Sequence, residues 1–238
     1  MPEAAQTLAS ISEQVAAVRR RIDASARAAG RTPAEVKLIA VTKTHTVETV
    51  RAALAAGLTD FGENRVQEAD GKIAQLAQGA ARWHLIGHLQ ANKARRAVKL
   101  FDVIHSVDTA ALVARLERLC AEEERRELPV LVQVDLAGEA TKTGARETEL
   151  VQLVSQCQRC ERVQLVGLMT LPPFFDQAEQ VRPYFRRLRE LRDEWQARGA
   201  FGARTGELSM GMTHDFEIAI SEGATMVRVG TALFGARA

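Results

Sequence analysis

The segment Val36-Lys-Leu-Ile-Ala-Val-Thr42 is a short, nearly continuous run of aliphatic residues. Such a run is typical of a strand that is buried on both faces, as the strands of a parallel sheet are. The apolar residues of segment 47–56 then recur at helical spacing, and Thr59-Asp-Phe-Gly62 predicts a second short strand. The chain therefore starts with the order strand, helix, strand that builds parallel sheets.

The alternation of strand and helix patterns continues through the rest of the sequence. Further strands are predicted at 83–87, 103–106, 128–135, 163–169, 207–210 and 225–229. Helices are predicted at 3–29, 66–76, 91–99, 108–126, 147–159, 178–198 and 215–222, with Asp108 as the cap of the helix that it begins. Eight strands with intervening helices in 238 residues predict an α/β fold that is a single closed (β/α)8 TIM barrel.

The main alternative to a barrel is a doubly wound open sheet. No glycine-rich dinucleotide fingerprint follows the first strand, which disfavours that alternative. No low-complexity segment or linker divides the chain. Residues 1–238 are therefore expected to form one domain, in which residues 1–35 pack on the barrel as an extra N-terminal helix.

Composition limits the classes of partner. The chain has 32 Lys and Arg against 30 Asp and Glu, so we expect no nucleic-acid or anionic-membrane partner. No apolar run approaches the ~20 residues that span a bilayer, and segment 1–21 lacks the apolar core of a signal peptide, so a cytoplasmic protein is expected. Cys157 and Cys160 form a CxxC within a helical pattern, which favours two half-buried helix cysteines over a redox or metal site.

A defined set of residues follows the predicted strands, at the barrel rim where such folds place their active sites. They are Lys43, Glu63, Asn64, His88, Gln90, Ser106, Asp108, Lys142, Met169, Thr170, Ser209 to Met212, Gly230 and Thr231. Lys43 is the first candidate, because burial lowers the pKa of a lysine and leaves more neutral amine to attack an aldehyde. The alternative is a surface lysine that pairs with a carboxylate such as Glu63.

Two glycine-containing loops follow the last two strands, Ser209-Met-Gly-Met212 and Gly230-Thr-Ala-Leu-Phe-Gly235. In this architecture those loops commonly bind phosphate, since glycine lets backbone N–H groups approach an anion and hydroxyls add donors. Turn glycines and helix caps are the alternative. Together with Lys43, the two loops fit an aldehyde that carries a phosphate.

Three further residues within the strands are of interest. Arg228 lies inside the last strand and needs a specific acceptor, either a cofactor ring nitrogen or a structural salt bridge. His84 and His88 are four residues apart on a strand, about 13 Å, so they cannot chelate one metal, and His84 is expected to line the barrel. His45 and His105 are expected to be ordinary loop or strand-end residues.

The sequence resembles the pyridoxal phosphate homeostasis protein family from about Leu38 to Gly235. The matching segments occur in the family's order: Ala-Val-Thr-Lys43, Phe-Gly-Glu-Asn64, Val-Gln-Glu68, Trp-His-Leu-Ile-Gly87, Leu-Gln-Ala-Asn-Lys93, His105-Ser-Val-Asp108, Gly138-Glu, Lys142-Thr-Gly144, Gly167-Leu-Met-Thr170, Leu208-Ser-Met-Gly-Met212 and Met226-Val-Arg-Val-Gly-Thr231. Each segment alone is a weak signal, but all of them in order are highly specific.

The resemblance implies the barrel of the alanine racemase N-terminal domain and a set of cofactor contacts. It implies that Lys43 carries pyridoxal 5′-phosphate as an internal aldimine and that Arg228 faces the pyridine nitrogen. It also implies that the phosphate is held by the loops of Ser209, Met210, Gly230 and Thr231, and that Asn64 and His84 lie near the cofactor. Asp135 and His214 depart from the family pattern, where asparagine and an acidic or small residue are more usual.

The family's role implies a non-catalytic protein that buffers the cofactor or delivers it to apo-enzymes. An amino-acid racemase is the alternative, but a two-base racemase needs a second acid/base group, and the single tyrosine, Tyr184, lies in a helical apolar pattern. An aldolase-type barrel enzyme that uses Lys43 is a third possibility. A monomer is expected.

Overall fold

The computed structural model describes residues 2–138 and 143–235, and its eight strands form one closed parallel barrel. Each strand pairs with the next, and the last pairs with the first, with Ile39 opposite Arg228. The strands are β1 Lys37–Val41, β2 Asp60–Glu63, β3 Arg82–Leu85, β4 Val103–Val107, β5 Leu128–Gln133, β6 Val163–Met169, β7 Glu207–Ser209 and β8 Met226–Val229. The predicted (β/α)8 barrel is confirmed, and closure excludes the open sheet.

Helices surround the barrel: α1 Pro2–Ala28, α2 Val47–Ala55, α3 Val66–Ile73, α4 Ala94–Leu100, α5 Ala110–Glu122, α6 Leu150–Gln158, α7 Arg182–Ala197, α8 Phe216–Ser221 and α9 Thr231–Phe234. Single 3₁₀ turns precede α4, α6 and α7, at Ala91–Lys93, Glu147–Glu149 and Ala178–Val181, where the sequence predicted continuous helix. Within the described ranges, no helix has the length and apolar character that a membrane crossing requires.

The predicted cap of α5 was wrong by one residue. Asp108 follows directly on β4, and the side chain of Thr109 is the group that accepts the N–H of Leu112, at 3.2 Å. Both residue types are good caps, so the sequence alone does not choose between neighbours. The choice follows from where the strand ends, at Val107.

Two apolar clusters lie on opposite faces of the barrel sheet. Val130 and Val132 belong to the large cluster between strands and helices, whereas Leu131 faces a small cluster inside the barrel, as strand alternation requires. Polar side chains fill much of the remaining interior, where barrels usually hold branched aliphatic residues. The fully or almost fully buried polar residues of the strand interiors and ends include His84, His105, Ser209 and Arg228.

Helix α1 packs across the seam where β8 meets β1, against α2, α8 and α9. The guanidinium of Arg21 lies 4.4 Å from the centre of the Phe216 ring at the start of α8. Arg31, just after α1, donates to the carbonyl oxygens of Ile220 and Ala224 at 3.1 and 2.8 Å. The first helix therefore supports the part of the barrel that carries the last two loops.

Gly71 and Gly57 offer a matched pair of alanine substitutions. Both would place the added Cβ in open space, but Gly71 lies within α3 whereas Gly57 has a φ of +82°. We expect Gly71→Ala to raise the free energy of unfolding by about 0.5–1 kcal/mol, because alanine loses less backbone entropy in a helix. We expect Gly57→Ala to lower it by about 1–2 kcal/mol, because L residues are strained at that φ. Urea denaturation measures both shifts, and shifts of the same sign would contradict this reasoning.

Candidate functional site

The residues selected from the sequence gather at the carboxyl ends of the strands. Lys43 follows β1 by two positions and Asn64 follows β2 directly, and both side chains are half-buried. Met210 follows β7 and is fully buried, and Gly230 follows β8. In a closed parallel barrel these ends share one rim. Lys142, also selected from the sequence, lies outside the described residues.

The backbone turns sharply immediately after Lys43. Thr44 has a φ of +67°, which is rare for a β-branched residue and costs on the order of 1–3 kcal/mol. Such strain persists only where the surroundings enforce it, and it is concentrated at functional sites. Here the N–H of Thr44 donates to Oε1 of Glu68, on the first turn of α3. The position of Lys43 is therefore set by a strained turn that is held from α3.

Lys72 is the residue that holds this turn. Its ammonium donates to the carbonyl oxygen of Thr42 at 2.6 Å, to Oε1 of Glu63 at 2.6 Å and to Oε1 of Glu68 at 2.9 Å. It therefore binds the chain directly on one side of Lys43 and, through Glu68, on the other. Sequence reasoning missed Lys72, although its position three residues after the buried Ala69 places it on the inner face of α3.

Glu63 is the carboxylate that the sequence analysis considered as a partner for Lys43. Its Oε1 forms an ion pair with the ammonium of Lys72 at 2.6 Å. The hydroxyl of Thr42 donates to the same oxygen at 2.7 Å. Glu63 is fully buried, and burial raises the pKa of its carboxyl despite these two donors. Its second oxygen, Oε2, has no hydrogen-bond partner among the described residues. The energetic cost of burying this charge is therefore offset mainly by the ammonium of Lys72.

Arg228 is almost completely buried inside the barrel. It donates to the hydroxyl of Ser209 at 2.6 Å and to the carbonyl oxygen of Thr170 at 2.9 Å, which uses two of its five N–H donors. The described residues give it no ion-pair partner, so the salt-bridge alternative receives no support. Burial lowers the pKa of Arg228 to about 10, with the charge of Asp215 acting in the opposite direction. At neutral pH it is a buried cation with donors to spare for a ligand.

The loops after β7 and β8 contact each other and β1. The backbone N–H of Arg228 in β8 donates to the carbonyl oxygen of Gly211 at 3.0 Å. The backbone N–H of Ala232 donates to the hydroxyl of Thr213 at 3.4 Å. A Cβ at Gly230 would lie 3.3 Å from the carbonyl oxygen of Val41, so only glycine allows this approach without adjustment of β1. The two loops proposed for phosphate and the strand that leads to Lys43 are therefore neighbours.

His84 and Ser209 are completely buried. His84 lines the barrel interior as expected, and its two ring nitrogens lie 2.9 Å from Nε2 of His105 and 3.0 Å from Oδ1 of Asp60. The hydroxyl of Ser209 contacts Nδ1 of His105 at 2.9 Å in addition to Arg228. Direct contact of His84 and Ser209 with a cofactor stays a prediction. The description of His105 as an ordinary strand-end residue was wrong, because its ring joins these groups.

The two departures from the family pattern have local explanations. Oδ1 of Asp135 accepts the N–H groups of Ala137 and Gly138 at 3.1 and 3.0 Å, a turn that the oxygen of an asparagine would form equally well. Nε2 of His214 lies 3.2 Å from the carbonyl oxygen of Phe175, away from the barrel interior. Neither side chain contacts Arg228 or the network around Lys72.

Cys157 is buried on the outer helix α6, and Cys160 is half-buried two residues beyond the end of that helix. The prediction of two half-buried helix cysteines was therefore wrong for the burial of Cys157 and for the position of Cys160. Burial raises the pKa of Cys157 to about 12 and that of Cys160 to about 11, so both thiolates are disfavoured. A thiolate is the form that redox exchange and metal binding require. In the described ranges, no group of three or more His, Cys, Asp or Glu residues is placed to hold a metal ion.

The barrel and its rim place the chain in a known structural class. The family model described as alanine racemase, N-terminal domain, matches residues 14–238. The alanine racemase structure from Corynebacterium glutamicum is 17% identical with a TM-score of 0.68, and the match covers 97% of this chain and 61% of that chain. At this identity the likeness concerns the fold alone. The chain is a barrel of the alanine racemase N-terminal-domain class.

Relatives of similar length define the family more narrowly. A pyridoxal phosphate homeostasis protein of Pseudomonas aeruginosa is 45% identical over 234 residues, 97% of this chain and 97% of that protein. One of Aquifex aeolicus is 41% identical over 225 residues, 94% of this chain and 97% of that protein. The structure of PipY from Synechococcus elongatus with pyridoxal phosphate bound is 40% identical, with a TM-score of 0.83 over 94% of this chain and 100% of that chain. The chain belongs to the pyridoxal phosphate homeostasis protein family, as its ordered motifs predicted.

Proposed function

We propose that this protein binds pyridoxal 5′-phosphate covalently through Lys43 and buffers or delivers it in vitamin B6 homeostasis, without substantial catalytic turnover. The observation that carries the proposal is the strained turn at Thr44, which fixes a half-buried lysine beside the loops after β7 and β8. A relative that is 40% identical has been solved with this cofactor bound. The amine, the glycine-containing loops and the buried cation together match an aldehyde, a phosphate and a ring nitrogen.

Each residue has a distinct part in this proposal. The neutral amine of Lys43 would form a C=N bond with the aldehyde carbon, and the aldehyde oxygen would leave as water. The backbone of Gly230, the hydroxyl of Thr231 and the loop of Ser209 and Met210 would hold the phosphate. Asn64 and His84 lie nearer the ring. When bound, the cofactor supplies an electron-withdrawing ring for amino-acid chemistry.

Arg228 is the residue proposed to face the ring nitrogen of the cofactor. A guanidinium donates hydrogen bonds but cannot give up a proton to the ring nitrogen at neutral pH, so it keeps that nitrogen largely unprotonated. An unprotonated ring is a poorer electron sink than one paired with a carboxylate. Its burial and its two protein hydrogen bonds hold the guanidinium in one orientation.

The racemase alternative lacks a second acid/base group of the usual kind. Tyr184 is the single tyrosine of the chain. It lies on the outer helix α7, where its ring packs 5.8 Å from that of Phe175. A two-base racemase needs such a group on the face of the substrate opposite the lysine. The placement of Tyr184 therefore supports the carrier.

The domain organisation, oligomeric state and location of the protein are part of the same proposal. Residues 1–238 act as one domain, which the packing of α1 against α2, α8 and α9 supports. A monomeric state, a cytoplasmic location and delivery to apo-enzymes belong to the same proposal. Size-exclusion chromatography tests the monomer, and activation of an apo-enzyme by the loaded protein in the presence of a scavenger of free aldehyde tests delivery.

The direct test of the function is an absorption spectrum of the purified protein during titration with pyridoxal phosphate. We expect a visible band that borohydride removes, and a reduced phosphopyridoxyl group on Lys43 in peptide mass spectrometry. Reduced label spread over surface lysines, or no band at saturation, would contradict binding at this site. Incubation of the loaded protein with common amino acids in deuterated water should show no useful racemisation, and rapid racemisation would refute the carrier function.

A further inference from the structure

Five side chains form a hydrogen-bonded chain through the barrel interior, which we call the interior chain: Asp60, His84, His105, Ser209 and Arg228. The successive distances are 3.0 Å, 2.9 Å, 2.9 Å and 2.6 Å. The first three residues lie on β2, β3 and β4, and the last two lie on β7 and β8, so the contact from His105 to Ser209 crosses the barrel. The chain links a carboxylate at the amino end of β2 to the cation of β8.

The direction of every hydrogen bond in the interior chain follows from Asp60. Burial alone would raise the pKa of Asp60, but hydrogen bonds from His84 and Thr59, together with the electrostatic effects of His84 and Lys37, give a net lowering. The carboxylate is therefore ionised at neutral pH and can only accept. Nε2 of His84 must then donate, and its Nδ1 accepts from Nε2 of His105 if both rings are neutral. Nδ1 of His105 in turn accepts the hydroxyl proton of Ser209, whose oxygen accepts from Arg228.

The surroundings keep both rings neutral. Burial lowers the pKa of His84, with Asp60 opposing and Arg82 and Lys37 adding to the effect. Burial also lowers the pKa of His105 well below its usual value, and positive charge on His84, Arg228, Lys37 and Arg82 lowers it further. Besides the two rings themselves, the charged residues that act on the pair are Asp60, Arg82, Lys37 and Arg228. Both shifts favour the neutral form of the rings, and neutral rings keep the bond directions given above.

We propose that Asp60, His84 and His105 are positioning residues that orient the Ser209 oxygen toward Arg228 and so fix the guanidinium for the ring nitrogen of the bound cofactor. This inference rests on the proposed function. If the hydroxyl proton of Ser209 pointed toward Arg228, two donors would face each other and the guanidinium would lose one of its two acceptors. Because His105 accepts that proton, the Ser209 oxygen always presents a lone pair to Arg228.

A purely structural role does not explain the choice of residues. Barrel interiors of this kind are usually filled by branched aliphatic side chains, and a buried polar network is more costly than an apolar core unless every member is satisfied. Every nitrogen and oxygen that the interior chain uses has a partner in the structure, and the order of residues runs from an anion to a cation. Such an arrangement selects one orientation of Arg228, which apolar packing does not.

The first test does not involve the cofactor. Two-dimensional ¹⁵N–¹H spectra of the whole protein, labelled at histidine and free of pyridoxal phosphate, report the tautomer of each of its five histidines. We expect two rings, assigned by His84→Gln and His105→Gln, to stay neutral between about pH 5 and 9 with the proton on Nε2. A proton on Nδ1 of either ring, or titration of either ring near its usual pKa, would overturn the proposal even if the cofactor binds as expected.

The second test compares two substitutions at the same end of the barrel. Asp60→Asn removes the charge that sets the direction of the interior chain, and we expect pyridoxal phosphate to dissociate on the order of tenfold faster, with a shifted visible band. Asp102→Asn is the control, because Oδ2 of Asp102 accepts the N–H of Trp83 at 2.7 Å without entering the interior chain. The control should alter only thermal stability. Equal dissociation rates for Asp60→Asn and the wild type would refute the positioning role, whereas failure of the wild type to bind would refute the proposed function instead.

Discussion

Lys43→Ala is expected to abolish the visible band of bound pyridoxal phosphate and to weaken binding by about 100-fold or more, which corresponds to ~2.7 kcal/mol. The reason is the loss of the one amine that the strained turn at Thr44 fixes at the rim. Phosphate contacts from the loops of β7 and β8 would remain, so weak, non-covalent binding should persist. Equilibrium dialysis measures the remaining affinity of the variant, and the absorption spectrum measures the loss of the covalent bond.

Two control variants test whether positive charge alone, or the reactivity of any exposed lysine, could explain the band. Lys43→Arg keeps a cation at the rim, but a guanidinium stays protonated and cannot attack an aldehyde, so this variant should also lack the band. Lys99→Ala removes an exposed lysine of α4, whose ammonium lies 2.7 Å from Glu123, and the band should be unchanged. A band of normal intensity in Lys43→Arg would show that another lysine carries the cofactor.

Lys72→Met is expected to lower the free energy of unfolding by about 3–5 kcal/mol, the cost of leaving a buried carboxylate without its cation. Glu63 is fully buried, and Lys72 is its ion-pair partner at 2.6 Å. The same substitution frees the carbonyl oxygen of Thr42 and the carboxylate of Glu68. Urea denaturation at neutral pH measures the loss of stability, and slower or weaker formation of the Lys43 band would report a relaxed turn.

The destabilisation by Lys72→Met should depend on pH with a definite sign. In the folded protein burial raises the pKa of Glu63 above its ordinary value of 4.5, so the folded state binds this proton more tightly than the unfolded state. Loss of the neighbouring ammonium raises the pKa of Glu63 further. The free energy of unfolding of the variant should therefore fall as pH rises above the ordinary pKa of 4.5, and its difference from wild type should be smallest at the acidic end.

A double substitution provides the control for this pair. In Glu63→Gln/Lys72→Met the buried charge is absent, so much of the lost stability should return and its dependence on pH should flatten. If the double variant were as unstable as the sum of the two single variants, Lys72 would stabilise the protein through packing of its side chain and not through Glu63.

The strands could be predicted from the sequence more securely than the starts of the helices. β6 has the predicted bounds, 163–169, because an apolar run flanked by polar residues defines a doubly buried strand by composition alone. Whether a first turn is 3₁₀ or α depends on single hydrogen bonds, so the turns at Ala91–Lys93 and Glu147–Glu149 carry no distinct signal in the apolar pattern. The prediction of a closed barrel rested on the count of eight strands with intervening helices.

Candidate residues could be selected from the sequence where they follow a strand, but not where their partners lie far away along the chain. Lys43 and the loop of Gly230 were selected because barrel rims hold active sites, and the structure places both after strands of the barrel. The importance of His105 could not be found in this way, since Ser209 is 104 residues away in sequence. Nor could the strain at Thr44, because an amino-acid sequence does not reveal a backbone dihedral angle that surrounding contacts enforce.

The pairing of β1 with β8 places Ile39 opposite Arg228, so the proposed pocket is assembled from segments that are far apart along the polypeptide. Contacts of such long sequence separation form late and slowly during folding. The pocket can therefore exist only once the ring of strands is complete, and a ligand that occupies it holds the ring shut by mass action. If pyridoxal phosphate occupies this pocket as proposed, the free energy of unfolding therefore rises with the concentration of the vitamin.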